Sequence, residues 1–182
     1  MARKSTRHVV IVDPVDWPQS LDDNIDLKLL QASTVRHVSI AREALSQGAD
    51  VNCRRPDFLT PLHIATEHND IKLIELLCNQ PSIDIEARTL EGMTPLHHAA
   101  FLAHPDAIQI LLENGAVVNC KDNLGRHPLH YAVLQKDVKS ATILLTNNAS
   151  VNVYDVFHES PLYTSVIRRP FFPMIKLLLS YG

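Results

Sequence analysis

The chain has 182 residues, of which 46% are hydrophobic, enough to bury a core as one domain or one compact array. A net charge of −3 argues against a dedicated nucleic-acid binder, which carries a basic face. The three cysteines, Cys53, Cys78 and Cys120, are too few for a disulfide-stapled secreted domain and point to a reducing compartment, cytoplasmic or nuclear. The basic N-terminus MARKSTRHVVIVDP holds an apolar run too short for a secretory signal, and nothing approaches a membrane span, so no membrane insertion is expected.

In chain order, residues 1–20 contain Pro14, Trp17 and Pro18 and read as an extended or disordered lead-in. The alternative is that Trp17 packs over the first helix pair. Two helix-length segments follow, IDLKLLQAS (25–33) and SIAREALSQGADVN (39–52), with a polar start at Asp22, Asp23 and Asn24 as on a water-facing cap. The chain then repeats itself. TPLHIA begins at Thr60, TPLHHA at Thr94, HPLHYA at His127 and SPLYTS at Ser160, and their prolines stand 34, 33 and 33 residues apart. A leucine-rich run follows each motif: LIELLC (73–78), IQILLE (108–113), ATILLT (141–146) and MIKLLL (174–179). Three segments close alike, GADVNC (48–53), GAVVNC (115–120) and NASVNV (148–153). The expected units are 21–53, 54–87, 88–120, 121–153 and an incomplete 154–182.

Thr60, Thr94 and Ser160 suit the N-cap, where a hydroxyl accepts an orphan N–H of the first turn. The proline after each sits at the first helical position, where no N–H is needed. Leu62 with Ala65, Leu96 with Ala99 and Leu129 with Ala132 each fall on one helix face. Leu73, Leu76 and Leu77, like Ile108, Leu111 and Leu112, keep the spacing of a second apolar helix. Each unit is then two short antiparallel helices whose apolar side only a stacked neighbour can bury.

With that period and the T-P-L-H-x-A motif, the chain resembles the ankyrin-repeat family from about Leu21 to Gly182. The resemblance implies an all-α solenoid of about five helix-pair units joined by β-hairpin-like loops. It implies that His63, His97 and His130 hydrogen-bond the hairpin and helix starts. It also implies a non-catalytic, monomeric module that binds a partner protein through its concave face and hairpin tips.

Zinc and catalysis fare poorly against the residue spacing. Motif histidines in stacked units stand roughly 8–10 Å apart, whereas zinc ligands each lie about 2.0–2.1 Å from one ion. HIATEH (63–68) has three residues between His and Glu where an inverted zincin needs two. Cys53 and Cys120 lie two units apart, about 20 Å by the same spacing, and Cys78 reads as a buried hydrophobe. Five glycines leave no phosphate-cradling loop. No cofactor, metal or catalytic residue is expected.

By position within the repeat, Leu59, Leu90, Met93, Phe101, Leu102, Leu124, Leu134, Phe157 and Ile167 line the partner-binding side, which a purely solvated face would fill with charge. For Leu102 and Leu134 the alternative is gap-filling between units. Some positions depart from the family. His127 replaces the capping Thr, and Tyr163 replaces the motif histidine. The glycine that ends the first helix is replaced by Asn69, Ala103, Lys136 and Arg169, of which Asn best tolerates a left-handed turn. The prolines of RRPFFPM (168–174) forbid a continuous helix and predict a protruding loop. The chain stops at LLLSYG, where the family continues. It is therefore expected to be the front part of a longer protein, with Leu178 and Leu179 exposed. Two finer readings accompany the general one: a substrate receptor of a cullin-RING ubiquitin ligase whose SOCS box lies outside this chain, and a cytoskeletal or membrane-protein scaffold.

Overall fold

The structure is a computed structural model and describes residues 24–182, so the expectations for residues 1–20, Asp22 and Asp23 lie outside the described residues. Asn24 opens the first helix, its side chain accepting the Leu27 N–H at 3.1 Å. The helices are α1 (Ile25–Thr34), α2 (Val38–Ser46), α3 (Pro61–Glu67), α4 (Ile71–Cys78), α5 (Pro95–Phe101), α6 (Pro105–Glu113), α7 (Pro128–Leu134), α8 (Val138–Thr146), α9 (Pro161–Tyr163) and α10 (Phe172–Tyr181). Among the described residues there are no strands.

The four motif prolines are each the first residue of a helix, α3, α5, α7 and α9. Ser160 Oγ accepts the Tyr163 N–H at 3.1 Å, and Thr60 Oγ1 accepts the His63 N–H at 3.4 Å. His127 caps α7 without such a bond, because its Nδ1 is buried with no partner.

Within each pair the two helices pack on each other, and between pairs like meets like. α1, α3, α5, α7 and α9 form one layer, and α2, α4, α6, α8 and α10 form the second. The apolar faces merge into one core running from Leu29 to Leu178. Leu62, Leu73, Ile74, Leu77, Leu96, Ile108, Leu111, Leu129 and Leu144 are fully buried within it. Burying one such side chain contributes about 1.5–3 kcal/mol, and an isolated pair could not supply the covering surface. Stacking is what makes the fold.

The first helix of each of the first four pairs ends in a left-handed residue: Arg36 (φ 60°), Asn69 (φ 50°), Ala103 (φ 56°) and Lys136 (φ 59°). The N–H after each one returns to an alanine carbonyl, His37 to Ala32, Asp70 to Ala65, His104 to Ala99 and Asp137 to Ala132, at 2.8–3.0 Å. This is the Schellman geometry that glycine supplies most readily. Ala103 and Lys136 therefore do take the left-handed turn, against a Cβ clash of about 1–2 kcal/mol. Ala103 is exposed. Ala103→Gly is accordingly expected to raise stability by about 1 kcal/mol, the strain relief less the entropy of the freer chain. A urea midpoint that stays put or falls would show that the turn is unstrained.

The fifth pair departs from the others: the helix is interrupted between Arg168 and Phe172, as its prolines predict, and residues 166–170 are exposed. α9 has only three residues and widens into a π-helical turn, Thr164–Arg168. Arg169, ahead of Pro170, has φ −143° and is therefore not left-handed, in keeping with the bar a following proline sets against helix. Phe171 then packs on the core with Lys136 Nζ 5.8 Å from its ring, so the segment folds back. Leu178, expected at the surface, is buried because α10 lies against α8 and α9, while Leu179 is exposed.

Candidate protein-binding surface

Between the pairs the chain makes four tight turns, Arg55–Phe58, Thr89–Gly92, Asp122–Gly125 and Asp155–His158, referred to below as fingers. In each, the fourth residue's N–H donates to the first residue's carbonyl at 2.9–3.0 Å. The fourth residue is left-handed every time: Phe58 (φ 65°), Gly92 (φ 75°), Gly125 (φ 69°) and His158 (φ 57°). At Gly92 the requirement is double, since a Cβ there would stand 2.3 Å from Asn123 Oδ1. Asp122 and Asp155 fix their own turns, each Oδ1 accepting backbone N–H groups two and four residues on, at 2.8–3.0 Å. Burial opposes charge on Asp155, yet these amides and Arg126 hold its pKa below the usual carboxylate value. Asn123 N–H donates to Glu91 O at 3.0 Å and Val156 N–H to Leu124 O at 2.9 Å, joining the last three fingers.

The motif histidines tie each of the last three fingers to the preceding first helix. The Nδ1 of His63, His97 and His130 accepts the N–H of Thr60, Thr94 and His127 at 3.1–3.3 Å. That bond places the proton on Nε2, which donates to the next unit's finger: to Met93 O at 3.2 Å, Arg126 O at 3.0 Å and Glu159 O at 3.2 Å. Burial pushes His63 down to about 3 and His97 down to about 4, and it lowers His130 as well. These rings are neutral structural links. Burial likewise raises Cys53 to about 12 and both Cys78 and Cys120 to about 11, leaving thiols rather than reactive thiolates. Among the described residues no three His, Cys, Asp or Glu side chains are grouped to hold a metal ion.

The residues expected on the binding side divide in two. Leu90, Leu124 and Phe157 at the finger tips are exposed, as are Phe101, Leu102 and Ile167 at the ends of the first helices. Leu59, Met93 and Leu134 are only partly accessible and pack against the core. Phe101 is 46% exposed, its ring edge-on to the buried Tyr131 at 5.8 Å. Tyr131 in turn donates its hydroxyl to Asp122, which links α7 to the third finger. Two exposed tip residues stand outside the expected set, Phe58 and Val156. Phe58 fills the slot that glycine holds in the next two fingers, and aligning the four turns on their glycines would have exposed it.

A two-layer stack of helix pairs with a row of tight-turn fingers defines a helical repeat array. A family profile described as "Ankyrin repeats (3 copies)" matches residues 29–122, 82–155 and 104–182, and the chain belongs to the ankyrin-repeat family. Ankyrin repeats are protein–protein interaction modules, typically non-catalytic. The chain is 35% identical over 85 residues to human Ankyrin repeat and SOCS box protein 3, covering 46% of this chain and 16% of that protein. Over 82 residues it is 29% identical to Drosophila melanogaster Transient receptor potential cation channel subfamily A member 1, covering 43% of this chain and 7% of the channel subunit. Over 100 residues it is 37% identical to Putative ankyrin repeat protein FPV031 of Fowlpox virus (strain NVSL), covering 53% and 29%. The chain thus spans under a third of the length of each of these relatives. Among the described residues no helix is long and apolar enough to cross a membrane.

Proposed function

We propose that this chain is an intracellular, non-catalytic interaction module that holds a partner protein with its finger tips and concave helix ends. The observation that carries this reading is the row of exposed apolar side chains there, centred on Phe101 and flanked by Leu90, Leu102, Leu124, Phe157 and Ile167. Phe101 lies mid-array, where neighbours on both sides can exclude water around an anchor.

Phe101→Ala is expected to weaken partner binding by about 2 kcal/mol, roughly thirtyfold. The same change costs the edge contact with Tyr131, about 0.5–1.5 kcal/mol of stability, together with the burial of the covered half of the ring. Met93→Ala, at a partly covered site, is expected to weaken binding less. Proteins retained by the immobilised wild type are quantified by mass spectrometry against the variant, alongside a thermal melt. A Phe101→Ala protein that melts several kcal/mol early yet retains the same partners would remove Phe101 from the site.

The likeness to an ankyrin-repeat and SOCS-box protein supports a finer reading, a substrate-recognition subunit of a cullin-RING ubiquitin ligase. Co-expression of the full-length protein with elongins B and C tests it, since a ligase receptor co-purifies with them. The likeness to a transient receptor potential channel supports instead a membrane-protein scaffold, which would not.

A further inference from the structure

Arg54, Arg88 and Lys121 stand at one repeated place, each exposed and each immediately before the first residue of a finger. The two arginine side chains are held rather than loose. Arg54 Nη1 donates to the Arg88 carbonyl at 3.3 Å, and Arg88 Nη2 donates to the Lys121 carbonyl at 2.8 Å. The Arg54 guanidinium carbon also lies 5.9 Å from the Phe58 ring centroid, which sets this row of charge against the finger tips.

No carboxylate among the described residues lies within ion-pair distance of any of the three cations. The acids of the fingers are engaged elsewhere. Asp57 faces Arg55 at 3.2 Å, Glu91 accepts the Thr89 hydroxyl at 3.1 Å, and Asp122 and Asp155 are buried in their own turns. A chain of net charge −3 thus sets three cations without a contact ion pair along one edge of its apolar finger row, with Glu86 acting on Arg88 through space. Such an edge complements carboxylates interleaved with apolar side chains.

Adjacent stems stand about one helix spacing apart, roughly 10 Å. A polyproline-II-like extended chain turns once in three residues and rises about 3.1 Å per residue, so every third residue of such a segment returns to the same face and meets a cation. We propose that the finger row captures an extended acidic segment of a partner protein. The segment's carboxylates meet Arg54, Arg88 and Lys121, and its apolar side chains lie between them on Phe58, Leu90 and Leu124. This proposal rests on the protein-interaction reading above and adds the chemistry of the partner.

The test is selection of random 16-residue peptides displayed on phage, run against the wild type and against R54E/R88E/K121E. All three positions are exposed, and a melt verifies that the variant is folded. The wild type is expected to enrich peptides carrying Asp or Glu beside Leu, Ile or Phe. The charge-reversed protein is expected to bind synthetic copies of those peptides at least about tenfold more weakly and to enrich Lys and Arg instead. A wild-type selection without acidic enrichment, or one unchanged by the reversal, overturns the proposal. So does tighter binding of a fluorescent single-stranded oligonucleotide than of any selected peptide. Uncharged apolar peptides whose binding Phe101→Ala abolishes would leave the interaction module standing and remove only its acidic preference.

Discussion

Leu111→Ala is expected to lower the stability of the array by about 2–5 kcal/mol, seen as a reduced urea midpoint with little change in slope. Leu111 is fully buried in α6, the second helix of the middle pair, which packs on α4, α5 and α8. Truncation removes transfer energy and leaves a cavity that rigid helices on several sides cannot collapse. Leu96, on α5, is 1% exposed and carries the same expectation. A midpoint indifferent to Leu111→Ala would mean that this face of α6 is not the one buried.

Acidification is the second large effect. In the folded chain His63 titrates at about 3 and His97 at about 4, chiefly because burial disfavours their charged forms. In the unfolded chain each titrates near about 6.5. Below that value the unfolded chain takes up a proton at each site and the folded chain does not. The stability these rings contribute is therefore complete above about pH 6.5 and drains away as the pH falls towards the folded values. The slope is about 1.4 kcal/mol per pH unit for each ring, so two rings cost about 4 kcal/mol by pH 5. His127, held down to about 4 by burial first and by His130 second, acts in the same direction. Urea midpoints at pH 7.5, 6 and 5 measure this directly. A flat profile across that range would mean that the rings reach water in the folded state.

The helices were legible in the sequence because proline and a capping hydroxyl mark a helix start whatever surrounds them. All four motif prolines open helices, and the apolar positions spaced three and four apart turned inward. The histidine links followed from the family resemblance, and the structure shows their bonds. The surface was less legible. Adjacent finger residues point different ways, so Leu59 turned to the core while Phe58, held in the glycine slot, faces out. Whether Ala103 would tolerate a left-handed backbone depends on the return bond from His104 to Ala99, a local capping gain that single-residue propensity does not contain. The fifth pair was legible only in part, for a related reason. Proline forbids helix but does not say where the chain goes next, and the core surface beneath Phe171 decided that.

The histidine bonds between units join groups 30, 29 and 29 residues apart, and each acceptor carbonyl occupies the same place in its own repeat. The array is therefore assembled from interchangeable joints rather than from one unique closure. Excising residues 88–120 would bring the carbonyl of Arg126 to the station now held by that of Met93, ready for the same imidazole of His63. A fold wired in this way can gain or lose a whole module in a single genetic event and still knit itself together. Its length is therefore free to follow the span of whatever it grips.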